Sequence, residues 1–244
     1  MKPKVSIIIP CYNSQQWIEE CVLSALKQTY KNIEVVCVDN ESTDNTFNIV
    51  KEIQQRYPQI ITSTAPNIYP HCWDEAREEG FKHITGDYVT IIGSDDYMSE
   101  NYIENCMNFI LSAPDQVLAF QSPVWGVRSH TGQTMEQLSH FYPSLEDFKK
   151  QCLIRCPVNT PTVIYNVKLL NEGLLKAQPE LYGGAADYDL YCKLAENNVM
   201  IYPAPRWLGF YYRWHPNQAT WKVQHEGKGY DQAIQAFWKE KWNL

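Results

Sequence analysis

The 244-residue chain has no apolar run near the ~20 residues needed to span a bilayer, no excess of positive charge, no Cys-x-x-Cys pair and no low-complexity tract. Each absence removes a class of protein. Without a long apolar run, no segment reads as a transmembrane helix. A net charge of −7 disfavours nucleic acid as a main partner, because phosphate binding needs a basic face, and leaves room for a local basic pocket for a diphosphate. The eight cysteines are scattered, mostly within apolar stretches, and none forms half of a ligand-spaced pair of pairs. They fit small hydrophobes in a reducing compartment better than a disulfide framework or a zinc site. Cys152 and Cys156 lie four apart but have no second pair to complete a metal set. The start, Met1-Lys2-Pro3-Lys4-Val5, enters a strand pattern at once and lacks a secretory leader's apolar segment. The expected location is therefore the cytosol.

What is present is alternation. Val5–Pro10 is a short apolar run, and Trp17, Ile18, Cys21, Val22, Ala25 and Leu26 then recur at helical spacing. Ile33–Val38 is a second apolar strand, followed by a polar loop and a helix through Phe47, Val50 and Ile53, for which Thr43 or Asp44 is a suitable cap. A strand near residues 60–64, a helix through Trp73, Ala76, Arg77, Gly80 and Phe81, and a strand over Tyr88–Ile92 complete the first half. Near-continuous β-branched strands joined by helices predict an α/β fold with a mostly parallel central sheet covered on both faces. The second half is less regular. Helices are expected over 101–111 and 231–242, and strands over 117–121, 199–202 and 208–213, with a helix start at Ser144 and a rigid turn at Pro157-Val158-Asn159-Thr160-Pro161. The expectation is one domain, with residues 4–98 binding a nucleotide, about 99–220 forming the other side of the site, and 221–244 a helical tail.

Two carboxylate clusters carry most of the chemical information. Gly93-Ser94-Asp95-Asp96 follows the strand Tyr88–Ile92, so its acids sit at a strand's carboxyl end, where open α/β sheets bind ligands. Ala186-Asp187-Tyr188-Asp189 opens an amphipathic stretch, which places Asp187 near a helix start. One cluster is suited to hold a cation on a diphosphate, and the other to take a proton from a hydroxyl. The bland alternatives are a helix cap at Ser94-Asp95-Asp96 and a turn aspartate at Asp39. The helix dipole at Asp187 is expected to lower its pKa and keep it ionised. Asp189, two positions on, points to another face.

In order and spacing, Val5-Ser6-Ile7-Ile8-Ile9-Pro10-Cys11-Tyr12-Asn13, Ser24-Ala25-Leu26-Lys27-Gln28-Thr29-Tyr30, Val38-Asp39-Asn40-Glu41-Ser42-Thr43-Asp44, Gly93-Ser94-Asp95-Asp96 and Tyr212-Arg213-Trp214-His215 resemble the family 2 inverting glycosyltransferases of GT-A fold. The resemblance covers about residues 4–220. It implies transfer of a sugar from a nucleotide-diphosphate sugar, most simply a UDP-sugar, to a glycan or lipid-linked glycan acceptor of the kind used in surface polysaccharide assembly. It places the nucleobase and ribose at Pro10, Tyr12, Asn13 and Asp39, the diphosphate near Arg77, Ser94, Asp95, Asp96 and Arg213, and Mn2+ or Mg2+ on Asp95 with His215. It makes Asp187 the catalytic base. Three positions depart from the family pattern: Glu78 follows Arg77 where relatives carry asparagine, Gly93 replaces the first acid of the Asp-x-Asp motif, and Ala186 replaces an acid beside the base.

Two rival readings follow from these departures and from the fold. A sugar nucleotidyltransferase would also use a nucleotide-binding sheet, but Cys11-Tyr12-Asn13-Ser14-Gln15 is not the Gly-rich, basic loop such enzymes tend to carry. A catalytically silent glycan binder is supported by Gly93 and Ala186 and opposed by Asp39, Asp95, Asp187 and His215. Trp125 is placed either on a sugar ring or in the core. The aromatic tail Phe237-Trp238-Lys239-Glu240-Lys241-Trp242 is expected to pack on the body of the protein, the alternative being a peripheral contact with the inner face of a membrane.

Overall fold

The computed structural model describes residues 2–69, 72–113, 115–129, 131–225 and 227–243. Its first half alternates as expected: β1 (Val5–Cys11), α1 (Ile18–Leu26), β2 (Ile33–Asp39), α2 (Thr46–Arg56), β3 (Ile61–Thr64), α3 (Asp74–Phe81) and β4 (Tyr88–Ile91). The second half comprises β5 (Tyr97–Met98), α4 (Tyr102–Ser112), β6 (Ala119–Gln121), β7 (Val124–Arg128), β8 (Thr134–Leu138), α5 (Leu145–Cys152), β9 (Ile164–Asn166), α6 (Val167–Asn171), α7 (Pro179–Tyr182), α8 (Ala186–Glu196), β10 (Ile201–Pro203), β11 (Phe210–Trp214), α9 (Ala219–His225) and α10 (Tyr230–Trp242).

The central sheet has seven strands in the order β10-β6-β9-β4-β1-β2-β3. All are parallel except β9, which runs antiparallel between β4 and β6. Every residue of β1 is buried. Successive side chains of a strand point to opposite faces, and here both faces are covered: Ile7 and Ile9 pack into one cluster with Ile18 and Val22 of α1 and Met107 of α4. Ile8 packs into the other with Ala76 of α3 and Leu194 of α8. That two-sided burial is why β1 reads as an unbroken apolar run rather than an alternating one. Gly80 lets α3 lie close to β1, since a Cβ there would meet Ile8 Cγ2 at 2.6 Å.

A second sheet, β5-β11-β7-β8, was not legible in the sequence. Its edge strand β8 is almost wholly exposed and polar, and β5 has only two residues, so neither carries a hydrophobic period. This small sheet matters for the site. β11 pairs antiparallel with β5, Phe210 opposite Met98 and Tyr211 opposite Tyr97. Continued past β5, that register lays Arg213 and His215 over the Gly93–Asp96 turn.

The N-cap of α2 is Asn45 rather than Thr43 or Asp44; Asp44 precedes it and accepts from the Thr46 main-chain N–H at 2.9 Å. Ser144 caps α5 by accepting from the Asp147 N–H. The tail packs: Trp238 is buried against α8, and Trp242 Nε1 donates to Glu196 at 2.7 Å, which leaves Phe237 half exposed. Among the described residues no helix is long and apolar enough to cross a membrane.

Asp189 fixes that arrangement. Its Oδ1 accepts from Trp238 Nε1 at 2.8 Å in the interior, and its Oδ2 from the partly buried Gln178 Nε2 at 2.9 Å. Asp189→Ala leaves the buried Trp238 Nε1 without a partner, and a buried polar group so orphaned costs about 1–3 kcal/mol. The melting temperature should therefore fall by several degrees, at roughly 2–4 °C per kcal/mol for a chain of this size. Thermal unfolding with no shift would show that Asp189 does not tie α10 to α8.

Candidate active site

The Gly93–Asp96 turn and β11 build one end of the site. Asp95 Oδ2 and His215 Nε2 lie 2.9 Å apart. Two adjacent ligands of an octahedral cation at 2.0–2.1 Å are about 3 Å apart, so this pair has the spacing of a cis edge. Among the described residues no group of three or more His, Cys, Asp or Glu side chains could hold a metal ion. A cation here would take its remaining ligands from water and from a diphosphate, the manner in which Mg2+ is commonly bound beside phosphates. The donor set fits the expected Mn2+ or Mg2+.

Asp96 has a different task. It is buried, and its Oδ1 accepts from the main-chain N–H of Arg213 at 2.9 Å, tying the turn to β11. Burial, and then the neighbouring Asp95 carboxylate, push its pKa well up, while Arg213 opposes them. Gly93 gives these two acids their space, because a Cβ at that position would stand 2.8 Å from Asp95 Oδ1 and 3.0 Å from Asp96 Oδ2.

Arg213, expected near the diphosphate, lies against Asp95 and is held there by several partners. Its Nε donates to the Asp95 carbonyl at 2.7 Å, and an Nη pairs with Glu20 at 2.5 Å. The guanidinium lies over Trp17 at 4.4 Å and over Tyr97 at 5.0 Å. A cation held by a carbonyl, a carboxylate and two ring faces is a brace for the Asp95 backbone. Trp17 also approaches the His215 ring, at 5.7 Å between centroids. Neither Trp17 nor Glu20 stood out in the sequence, since a helix-start tryptophan and a helix-surface glutamate are ordinary there.

The loops after β1 and β2 form a second region. Pro10 lies in β1 opposite Val38, and Cys11 opposite Asp39. Asp39 is buried, and its Oδ2 accepts from the Ser42 N–H at 3.0 Å, so it does fill the turn role. Tyr12 is 49% exposed, leaving most of its ring open for stacking. Asn13 differs from expectation. With φ at +47°, it turns its Oδ1 onto the main-chain N–H groups of Thr43 at 2.8 Å and Asp44 at 3.3 Å. That oxygen stitches the two loops together and is spent on doing so. Ser94 lies partly exposed between Gly93 and Asp95.

Asp187 occupies the third region. It lines a small open cleft with Trp73, Arg77, Thr160, Tyr165 and Tyr191. Thr160 Oγ1 donates to its Oδ2 at 2.6 Å, and the Tyr188 main-chain N–H donates to its Oδ1 at 2.7 Å. The dipole expectation is corrected here: burial raises the pKa of Asp187 to about 6, against the Thr160 hydrogen bond, which lowers it. Desolvation outweighs the helix start because Arg77, Tyr165 and Tyr191 crowd the carboxylate, although Asp187 keeps a partly exposed surface.

Arg77 also lies in this cleft, paired with Asp74 at 2.6 Å and with Glu78 at 3.3 Å, and its Nε is buried without a hydrogen-bond partner. The structure thus brings a residue of the first half beside Asp187 of the second, and the residues of β11 onto the acids of the first half. Gly183, at φ +50°, precedes Asp187 where a side chain would meet the Tyr230 ring. Trp125 is partly buried on β7, and Trp214 packs over Gly126.

The model of glycosyl transferase family 2 matches residues 6–174, and the chain belongs to that family. It is 34% identical over 110 residues to an uncharacterized glycosyltransferase of Haemophilus influenzae, which covers 45% of this chain and 43% of that protein. It is 27% identical over 196 residues to chondroitin synthase of Pasteurella multocida, covering 80% of this chain and 19% of the synthase. The chain thus spans under half the length of these curated relatives. Residues 1–349 of TarS from S. aureus, crystallised in complex with UDP, superpose with a TM-score of 0.70 at 23% identity, over 96% of this chain and 65% of that one. The α/β architecture with a mostly parallel, helix-flanked sheet is the GT-A fold.

Proposed function

We propose that the chain is an inverting glycosyltransferase that moves a hexosyl or N-acetylhexosaminyl group from a UDP-sugar to a hydroxyl of a glycan or lipid-linked glycan. The observation that carries this reading is the Asp187 carboxylate, set in a cleft with its pKa near 6 and anchored through both oxygens. A group with that pKa is largely ionised at neutral pH yet basic enough to accept a proton. In the proposed reaction the acceptor oxygen attacks the anomeric carbon from the face opposite the diphosphate. The bond from that carbon to the diphosphate oxygen breaks, the hydroxyl proton passes to Asp187, and UDP leaves. Asp95 and His215 would hold the divalent cation, which supplies positive charge against the leaving diphosphate. Tyr12 would stack on the base, and Asp39 would accept its ring N–H.

Family membership disfavours the sugar nucleotidyltransferase alternative. The polysaccharide synthase among the relatives supports a glycan acceptor, and the UDP complex of the TarS relative supports the choice of base. On this reading residues 4–98 serve the donor, 99–220 the acceptor, and 221–244 form a tail. The free thiols fit a cytosolic site of action, at the inner face of a membrane where the acceptor is lipid-linked.

Donor choice is tested by thermal shift. With Mn2+ present, UDP should raise the melting temperature well above the effect of equal ADP or GDP. Equal shifts from all three would remove the assigned base site. UDP binding without release of UDP from any UDP-sugar, over a panel of glycan acceptors, would favour the silent binder instead.

A further inference from the structure

We propose that Thr160 is a positioning residue for the proton-accepting group: its hydroxyl fixes the Asp187 carboxylate so that a lone pair stays aimed into the cleft. The inference rests on the reading of Asp187 as the base. Its support is geometric. The Thr160 Oγ1 to Asp187 Oδ2 distance is 2.6 Å, and the Tyr188 N–H holds Oδ1 from the other side, so the carboxylate cannot turn without breaking a bond.

A hydroxyl can position a partner only if it is itself held, and this one is. Thr160 opens a 3-10 turn, Thr160–Thr162, with Pro161 limiting its backbone. The residues on both sides are pinned to the end of β6. Before it, the Asn159 N–H donates to Gln121 Oε1 at 2.9 Å, and Asn159 Nδ2 donates to the carbonyls of Ser122 at 3.0 Å and Leu138 at 3.1 Å. After it, the fully buried Thr162 accepts through Oγ1 from the Ser122 N–H at 3.2 Å. Thr160 itself is only partly buried, so its hydroxyl is not needed to satisfy the core.

Other groups face Asp187 from every element packed around it. They are Asp74 and Arg77 on α3, Cys156 in the segment before the turn, Tyr165 on β9, Tyr191 on α8 and Tyr212 on β11. Arg77 favours the ionised carboxylate and Asp74 opposes it. Among the groups that shift the Asp187 pKa, only Thr160 is a neutral side chain bonded directly to the carboxylate, so its removal changes orientation and basicity while leaving the local charge untouched.

The test uses Thr160→Val, which keeps the shape, and Thr160→Ser, which keeps the hydroxyl, both in the full chain. Asp187 is titrated by carbon NMR of aspartate-labelled protein, with Asp187→Asn identifying its signal. Turnover is read as Mn2+-dependent release of UDP from the UDP-sugar that gives the largest thermal shift. Losing a hydrogen bond to the charged form should move the Asp187 titration to higher pH in the valine variant. It should also lower kcat tenfold or more, with KM for the donor unchanged. Serine should restore both. Wild-type titration in the valine variant overturns the proposal, and so does a shifted titration with wild-type kcat. If Asp187→Asn itself turns over normally, or no UDP-sugar is consumed by the unsubstituted chain, the reading of the base falls instead, and the titration still decides whether Thr160 governs the carboxylate.

Discussion

Asp187→Asn should lower turnover by at least the ~10²-fold that a general base contributes, with donor affinity nearly unchanged. The substitution keeps the shape and removes the basicity. Donor affinity is largely spared because the groups assigned to the nucleobase and the cation, Tyr12, Asp39 and Asp95, lie at the ends of β1, β2 and β4 or on the loops after them, and of the assigned donor residues Arg77 is the one that shares the cleft with Asp187. In the unsubstituted protein kcat should rise with pH through a limb centred on about 6, the pKa that burial gives this carboxyl.

Stability should move the other way. The folded pKa lies above the ordinary 3.8, so between those values the folded chain binds more protons than the unfolded chain, and stability falls as pH rises from 3.8 to about 6. Above that window the ionised group costs the fold up to about 3 kcal/mol, and less to the extent that solvent reaches it. Asp187→Asn should therefore melt higher than the parent at pH 7.5 and lose that advantage at pH 4. A variant that transfers sugar at the parental rate would end the assignment of the base, and one that no longer binds UDP would move Asp187 to the donor side.

Removing the cation should be nearly as consequential for donor binding. A ligand present at a hundredfold excess over its Kd stabilises a protein by about 2.7 kcal/mol. With UDP and Mn2+ that increment should appear as a rise of several degrees, at ~2–4 °C per kcal/mol for this chain length. EDTA should remove it, and so should Asp95→Ala, which deletes one of the two side chains spaced for the cation. Asp96→Ala should behave differently, because it leaves the Arg213 N–H unsatisfied and loosens β11. It should lower the melting temperature without ligand and weaken the metal-dependent increment rather than abolish it. Donor binding indifferent to EDTA and to Asp95→Ala would rule out a metal-dependent mechanism, and the glycine at position 93 would then be the first place to look for the reason.

Much of this site was legible in the chain itself. Apolar runs such as Val5–Cys11 and Ile33–Asp39 announce a doubly covered parallel sheet, because strands buried on both faces need no polar alternation. Acids that follow such strands are thereby placed at their carboxyl ends, which is how Asp39 and Asp95 were found. The Thr160-Pro161-Thr162 segment was visible only as a rigid turn. Nothing local indicates that its first hydroxyl meets a carboxylate 27 residues further on. For Arg213 and Asn13 the structure adds internal partners that the sequence did not reveal. The partners are Glu20 and the Asp95 carbonyl for one, the Thr43 and Asp44 amides for the other, all far away in sequence.

The sequence by itself determined the alternation of elements, the central sheet and the residue types at its carboxyl edge, since periodicity and strand-end position are properties of adjacent residues. Tertiary structure alone decided what those residues became. The unforeseen pairing of β5 with β11 sets His215 against Asp95 across 120 residues, and Arg77 of α3 lines the cleft beside Asp187, where desolvation overrides the helix start. Basicity and ligand spacing depend on what packs against a group, and no stretch of sequence contains its own neighbours.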